Sequence, residues 1–136
     1  NIPNFQAKEK IPQLFKPIVN LFVKLNVNGI STFAFIDTGA TFSSIDFTFA
    51  QKCDLEDSID NRIITVVQGV GGSELLIGSI YLCCIEIEQV SFDAKFNVWN
   101  DKYDITFGMD FMRHNKCTID MPRNRYNLVE RKGYAR

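Results

Sequence analysis

The most constraining feature of the sequence is a pair of strand-like runs joined by a tight turn. Every second residue from Leu21 to Val27 is aliphatic, which is the period of a β-strand with one buried face. Asn28-Gly29 follows, and this dipeptide is the strongest short signal for a two-residue hairpin. The second strand-like run, 30–36, leads directly to Asp37. A carboxylate buried there without a partner or a function would cost free energy. The sequence therefore predicts a β-hairpin that delivers a carboxylate at the end of a buried strand.

The rest of the chain also consists mainly of short β-like runs. These runs are 63–67, 75–87 with a break near Gly78, 92–98, 117–120 and 126–129. Short helical pieces are expected after Asp46, a plausible N-cap, and from Met109 to Asn115. Many short strands with little helix indicate an all-β barrel or sandwich. We expect one domain over residues 18–130, a lead-in from a preceding domain at 1–17 and a loose tail at 131–136.

Composition excludes several classes of protein. The 15 basic and 16 acidic residues give a formal charge of -1, which argues against nucleic acid as a main partner. No apolar stretch approaches the length of a membrane span, so we expect no membrane partner. The four cysteines lack C-x-x-C spacing, so we expect no metal and no other cofactor. Reduced thiols are typical of the cytoplasm, and a nuclear location is the alternative.

Asp37-Thr38-Gly39 is the candidate for chemistry. Two carboxylates that share one proton can activate water and protonate a peptide, because two like charges so close together cannot both ionise. This chain has one Asp-Thr-Gly, so a two-fold homodimer would supply the second Asp37. Thr38 would brace the pair across the axis, and Gly39 would allow close backbone approach. The other interpretation is that Asp37 is an ordinary turn or helix-cap aspartate.

A glycine cluster is the second candidate site. Gly69, Val70, Gly71, Gly72 and Ser73 fit the tip of a flap that closes over an extended substrate, and an ordinary hairpin turn is the alternative. A phosphate cradle is disfavoured because the full glycine motifs are missing and no helix follows.

A serine hydrolase is disfavoured as well. Ser43 and Ser44 lack a nucleophile-elbow motif. The one histidine, His114, is expected at the surface near a helix end.

The segment Ala34–Ala40 resembles the active-site segment of retroviral-like aspartic proteases. Ile105–Met112 resembles the second apolar-apolar-Gly element of that family, ahead of a short helix. More closely, the chain is similar to the protease domain of the DNA-damage-inducible proteins, the eukaryotic ubiquitin shuttle proteins. Supporting segments are 69–71 with Ile77-Gly78, and 117–120 beyond the helix. The resemblance covers roughly residues 18–129.

The resemblance implies a retropepsin-like closed β-barrel, the acid protease fold, active as an obligate homodimer. It implies Asp37 as the catalytic residue, with Thr38, Gly39 and Ala40 supporting it, a flap at 69–73, and hydrophobic support from Ile105, Phe107 and Gly108. Two positions depart from the family pattern. Met109 stands where Leu is frequent, a near match in volume. Phe107 stands where Ile is usual, which would alter the packing under the site or narrow a subsite.

The functional hypothesis is an aspartic endopeptidase that cleaves extended, including polyubiquitinated, protein substrates. Ubiquitin and the proteasome would be contacted only through domains outside this chain. One alternative is a dimeric peptide-binding or scaffold module of a ubiquitin shuttle protein with little or no turnover. Another is a retroelement protease that processes a polyprotein. The strands around 118–129 are the candidate dimer surface.

Overall fold

The computed structural model describes residues 21–62, 66–69, 72–120, 122–123 and 125–128. The lead-in, the tail and the centre of the glycine cluster, Val70 and Gly71, lie outside these residues. The strands are β1 (Phe22–Val27), β2 (Ile30–Ile36), β3 (Ser44–Asp46), β4 (Val66–Gly69), β5 (Gly72–Leu75), β6 (Gly78–Ile87), β7 (Val90–Trp99), β8 (Ile105–Phe107), β9 (Thr118–Asp120) and β10 (Arg125–Asn127). The helices are α1 (Phe47–Lys52) and α2 (Met109–His114), with a 3₁₀ turn at Glu56–Ser58.

Six strands form a closed barrel in the order β1-β2-β8-β3-β7-β6, and the pair Asn26 and Glu86 joins β6 back to β1. Two separate two-stranded sheets, β4-β5 and β9-β10, complete the described architecture. Closure leaves no free edge in the barrel sheet, which removes the usual route to edge-to-edge aggregation. The barrel, with its two short helices, confirms the predicted fold class. No helix within the described residues is long and apolar enough to span a membrane.

The first hairpin forms as the sequence predicts. Asn28 and Gly29 both have positive φ, 48° and 80°, which suits the turn type that matches the twist of paired strands. The aliphatic residues of β1 at 23, 25 and 27 point into the core, and Ala34 and Ile36 of β2 join them. The next predicted detail also holds, because the Asp46 carboxylate accepts a hydrogen bond from the Phe49 N–H and caps α1.

Two parallel strand pairs bring distant segments together at the end of the barrel. β2 runs parallel to β8, with Ala34 opposite Ile105 and Ile36 opposite Phe107. β3 pairs with β8 and also runs parallel to β7, so the segment after β2 folds back over the end of β8. The loop between β2 and β3, residues 37–43, therefore lies directly against the turn from β8 into α2.

Candidate active site

Asp37 lies at the end of β2 and is held through its backbone and its carboxylate. Its N–H donates to the Phe107 carbonyl at 3.0 Å, and its own carbonyl accepts from the Ala40 N–H at 3.2 Å. The Gly39 N–H donates to Asp37 Oδ1 at 2.9 Å. A single chain leaves Asp37 partly exposed and the following two residues exposed. The carboxylate is thus oriented by the turn, and its outer side is open.

Gly39 matters because it has no side chain, and not because of its backbone angles. Its φ lies outside the left-handed region, so its conformation is open to other residues. A Cβ added there would lie 3.3 Å from Asp37 Oδ1, closer than ordinary contact. The absent side chain therefore leaves room for the carboxylate beside the N–H that orients it.

The turn from β8 into α2 supports the loop from beneath. The Met109 N–H donates to the Ala40 carbonyl at 2.8 Å, and the Asp110 N–H donates to the Thr41 carbonyl at 3.2 Å. Gly108 is in such close contact that an added Cβ would lie 2.6 Å from the Phe42 carbonyl oxygen. Gly108 therefore packs beneath the loop.

The buried hydroxyl of Ser43 links the 37–43 loop to the turn from β8 into α2. Ser43 is completely buried, and its Oγ accepts from the Gly108 N–H at 2.9 Å and donates to Asp110 Oδ1 at 2.6 Å. The same carboxylate oxygen accepts from the Ser43 N–H and from the Phe111 N–H. Sequence reasoning weighed Ser43 only as an improbable nucleophile and gave Asp110 no role. The Gly-Met-Asp element pointed toward Asp110, but no local pattern links it to a serine 67 positions earlier.

Phe107 points into the core instead of toward a cleft. It is 1% exposed and stacks on Phe111 with ring centroids 3.9 Å apart and planes at 8°. Its ring also lies parallel to that of Phe96, at 6.4 Å. Of the two expectations for this departure from the family pattern, the geometry favours altered packing under the site. Ile105 is fully buried beside it.

An aromatic cluster that sequence reasoning missed lies on the outer side of β1 and β2. Phe35 contacts Tyr103 with ring centroids 4.8 Å apart, and both lie 5.6 Å from Phe22. Phe35 lies on β2 two residues before Asp37, so the cluster borders the strand that leads into the Asp-Thr-Gly turn. The alternation of β2 contained a signal for this, because Phe33 and Phe35 fall on the face opposite the aliphatic core residues.

The first and last residues of the glycine cluster lie on the two strands of a β-hairpin. β4 and β5 pair from Val66 opposite Leu75 to Gly69 opposite Gly72. Gly69, Gly72 and Ser73 lie on these strands, and the tip between them lies outside the described residues. The hairpin agrees with both interpretations, flap and ordinary turn.

The remaining candidates show no catalytic arrangement. His114 is exposed at the last position of α2, as expected. Cys83 is buried while its neighbour Cys84 is exposed, and burial raises the pKa of the Cys83 thiol to about 12. The part of the chain that the structure describes holds no group of three or more His, Cys, Asp or Glu side chains able to bind a metal ion.

A shallow cavity of about 260 Å³ lies next to the Asp-Thr-Gly turn. Thr38 forms one wall, and α2 and the start of β9 form the others, with Met109, Met112 and Ile119 among the lining residues. This apolar recess, bordered by Arg113 and Lys116, leaves Thr38 accessible from outside the chain.

Comparison with known proteins agrees with this geometry. The aspartyl protease family model matches residues 12–120. Protein DDI1 homolog 1 of Caenorhabditis elegans is 32% identical over 115 residues, which cover 84% of this chain and 30% of the relative. Protein DDI1 homolog 1 of Homo sapiens is 31% identical over 119 residues, 87% of this chain and 30% of that protein. The chain thus spans about 30% of the length of these curated relatives.

A solved structure shows the same fold. The retroviral protease-like domain of Ddi1 from Leishmania major superposes with a TM-score of 0.69 at 22% identity, over 82% of this chain and 88% of that one. The barrel, the Asp-Thr-Gly turn and the Gly108 support occur in one chain that matches the family model over most of its length. The chain belongs to the aspartyl protease family, and its fold is that of a retroviral protease-like domain.

Proposed function

We propose that this domain, residues 18–130, is an aspartic endopeptidase whose active site is shared by two identical chains. The observation that carries the proposal is the single Asp-Thr-Gly turn, with its carboxylate oriented by the Gly39 N–H and its outer side open. One carboxylate is not enough to act as both general base and general acid. A second copy of Asp37 across a two-fold axis completes the pair.

The pair works by sharing a proton. The ionised Asp37 takes a proton from a bound water, which attacks the peptide carbonyl, while the protonated Asp37 donates its proton to the carbonyl oxygen. The hydrogen bond from the Gly39 N–H holds Asp37 Oδ1 in place. In the proposed dimer the exposed Thr38 meets its counterpart in the partner. The Ala40 carbonyl accepts from the Met109 N–H and so links the turn to α2.

The substrate is an extended polypeptide with large apolar side chains near the scissile bond. Phe22, Phe35 and Tyr103 form an aromatic cluster on the outer side of β1 and β2, and we assign this cluster to the wall of the substrate cleft. The β4–β5 hairpin closes over the bound segment as a flap, with residues 69–73 at its tip. The resemblance to ubiquitin shuttle proteins extends the proposal to polyubiquitinated substrates and to a cytoplasmic or nuclear location.

The test is a fluorogenic peptide with Phe and Leu flanking the scissile bond, offered to wild type and to Asp37→Asn. The amide is isosteric and keeps an oxygen for the Gly39 N–H, so the variant should fold and bind but not cleave. Asp57→Asn, an exposed change in the 3₁₀ turn, is the matched control and should cleave normally. Specific activity of wild type should fall on dilution, and an excess of Asp37→Asn should suppress it by forming mixed dimers.

Two outcomes would refute the proposal. Undiminished cleavage by Asp37→Asn would remove the catalytic role, and specific activity independent of concentration would remove the shared site. Peptide binding by wild type, with no cleavage under any condition, would favour the dimeric binding module.

A further inference from the structure

Asp110 is a second aspartate that the fold places against the Asp37 loop. It is the second residue of α2, and it is half-buried. Its Oδ1 atom accepts three hydrogen bonds, from the Ser43 hydroxyl at 2.6 Å, the Ser43 N–H at 2.9 Å and the Phe111 N–H at 2.7 Å. One acceptor atom thus gathers donors from two segments that are 67 positions apart in the sequence.

The charge of this carboxylate is held by neutral donors. Among the residues that the structure describes, Asp110 forms no ion pair. Hydrogen bonds to an ionised acceptor are roughly twice as strong as those between neutral groups. An acidic residue in the first turn of a helix often serves only to complement the helix dipole. The two bonds from Ser43 go beyond that role, because they come from outside the helix.

The backbone of Asp110 holds the same loop at a second point. Its N–H donates to the Thr41 carbonyl at 3.2 Å, next to the bond from the Met109 N–H to the Ala40 carbonyl. Ser43 is completely buried, so water has no access to its donors if the carboxylate is removed. The loop must then move to regain hydrogen bonds for these groups.

Such a movement reaches Asp37 because the loop between the two residues is short and closed. The Ala40 N–H donates to the Asp37 carbonyl at 3.2 Å, which closes the turn directly before the residues that Asp110 holds. The Asp37 carboxylate is oriented within this turn by the Gly39 N–H. A shift at 41–43 therefore displaces the turn that presents the carboxylate.

We propose that Asp110 is a positioning residue of the active site. Its carboxylate, acting through Ser43, holds the 37–43 loop so that Asp37 keeps the orientation that hydrolysis requires. The consequence for catalysis rests on the proposed function, whereas the effect on the loop does not.

The experiment compares Asp110→Ala and Asp110→Asn with Asp57→Ala, a matched control that removes an exposed carboxylate from the 3₁₀ turn. The first readout is the amide proton shift of Gly39, which reports its hydrogen bond to Asp37 Oδ1. In Asp110→Ala this proton should move upfield, while the amide of Leu25 in the barrel core keeps its position. Asp110→Asn should give a smaller shift in the same direction, and the control none.

The second readout is kcat and KM for the fluorogenic peptide, at a protein concentration where the specific activity of wild type no longer rises. For Asp110→Ala, kcat should fall by about 100-fold with KM within about threefold of wild type, because the lost precision acts on the chemical step. Asp110→Asn keeps an acceptor oxygen, so its kcat should recover to within about tenfold of wild type. Ser43→Ala combined with Asp110→Asn should lose less than the product of the two single losses, because both changes weaken one contact.

An unmoved Gly39 amide in folded Asp110→Ala would overturn the positioning role, and Asp110→Asn provides the same test if the alanine variant does not fold. Loss of activity through KM alone, or losses that multiply in the double variant, would overturn it as well. If wild type cleaves no peptide, the proposed function fails, and the Gly39 shift still decides whether Asp110 holds the loop.

Discussion

Replacing Gly108 with alanine should displace the Asp37 loop and reduce activity strongly, while the protein stays folded. The backbone of Gly108, φ -95° and ψ -170°, is open to any residue, so the penalty is steric alone. The added Cβ would lie 2.6 Å from the Phe42 carbonyl oxygen and 2.9 Å from the Ala40 carbonyl oxygen. Both are backbone atoms of the Asp37 loop, so no flexible side chain can move aside.

The size of the effect follows from these contacts. Ordinary contact begins near 3.4 Å, so the loop must retreat by roughly 0.8 Å, or the turn into α2 must shift by the same amount. Overpacking of this kind costs about 1–3 kcal/mol of stability. A displacement near 1 Å at a catalytic group reduces turnover by about 100-fold. We therefore expect a folded protein that has lost most of its activity.

The assay pairs urea unfolding with kcat/KM for the fluorogenic peptide, measured where every variant is fully folded. Gly29→Ala is the matched control, because its φ of +80° makes alanine strained while no atom lies within 4 Å of the new Cβ. That strain costs about 1–2 kcal/mol in a hairpin turn at the other end of β2, so activity should persist. Equal kcat/KM for the two variants would refute the claim that Gly108 sets the position of the loop.

Three further changes test the surroundings of the site. Ser43→Ala should cost about 1–3 kcal/mol in urea unfolding and also reduce turnover, because the buried Gly108 N–H and the partly buried Asp110 carboxylate each lose a hydrogen bond; unaltered stability would contradict this. Phe107→Leu should cost about 1–2 kcal/mol through the lost stack on Phe111, with kcat/KM of the folded variant nearly unchanged; a large loss of turnover would instead place the ring in the cleft. Raising the pH from 9 to 11 should lower the urea midpoint. The pKa of the Cys83 thiol is near 9.0 in the unfolded chain and about 12 in the folded protein, so only the unfolded state loses the proton in this range and is stabilised. The fall in the midpoint should be smaller in Cys83→Ala.

Local chemistry made part of this molecule predictable. The period of β1, the Asn28-Gly29 turn and the Asp46 cap each depend on residues a few positions apart, and each appears as predicted. Asp37 was found because a carboxylate at the end of an apolar run is unusual. The assignment of a catalytic role to it stays a prediction.

What the sequence did not reveal depends on contacts between distant residues. The bonds from Ser43 to Asp110 require β2, β3 and β8 to be adjacent, and no periodicity encodes that adjacency. The stack of Phe107 on Phe111 likewise depends on the direction in which α2 leaves the barrel. The irregularity near Tyr81 shows only in the register of β6 against β7, where Ile80 pairs with Phe96 and Cys83 pairs with Ala94.

The parallel pairing of β2 with β8 also determines when the site can form during synthesis. Ala34 pairs with Ile105, so the loop after β2 has no support until the chain through Gly108 has been made. Contacts of such long sequence separation form late, because closing a long loop loses entropy before any contact is gained. A nascent chain that ends before β8 would carry Asp37 without the Phe107 carbonyl and the Gly108 turn that support its loop. On the proposed function, the ribosome-bound protein would be inert toward its neighbours until the barrel has closed.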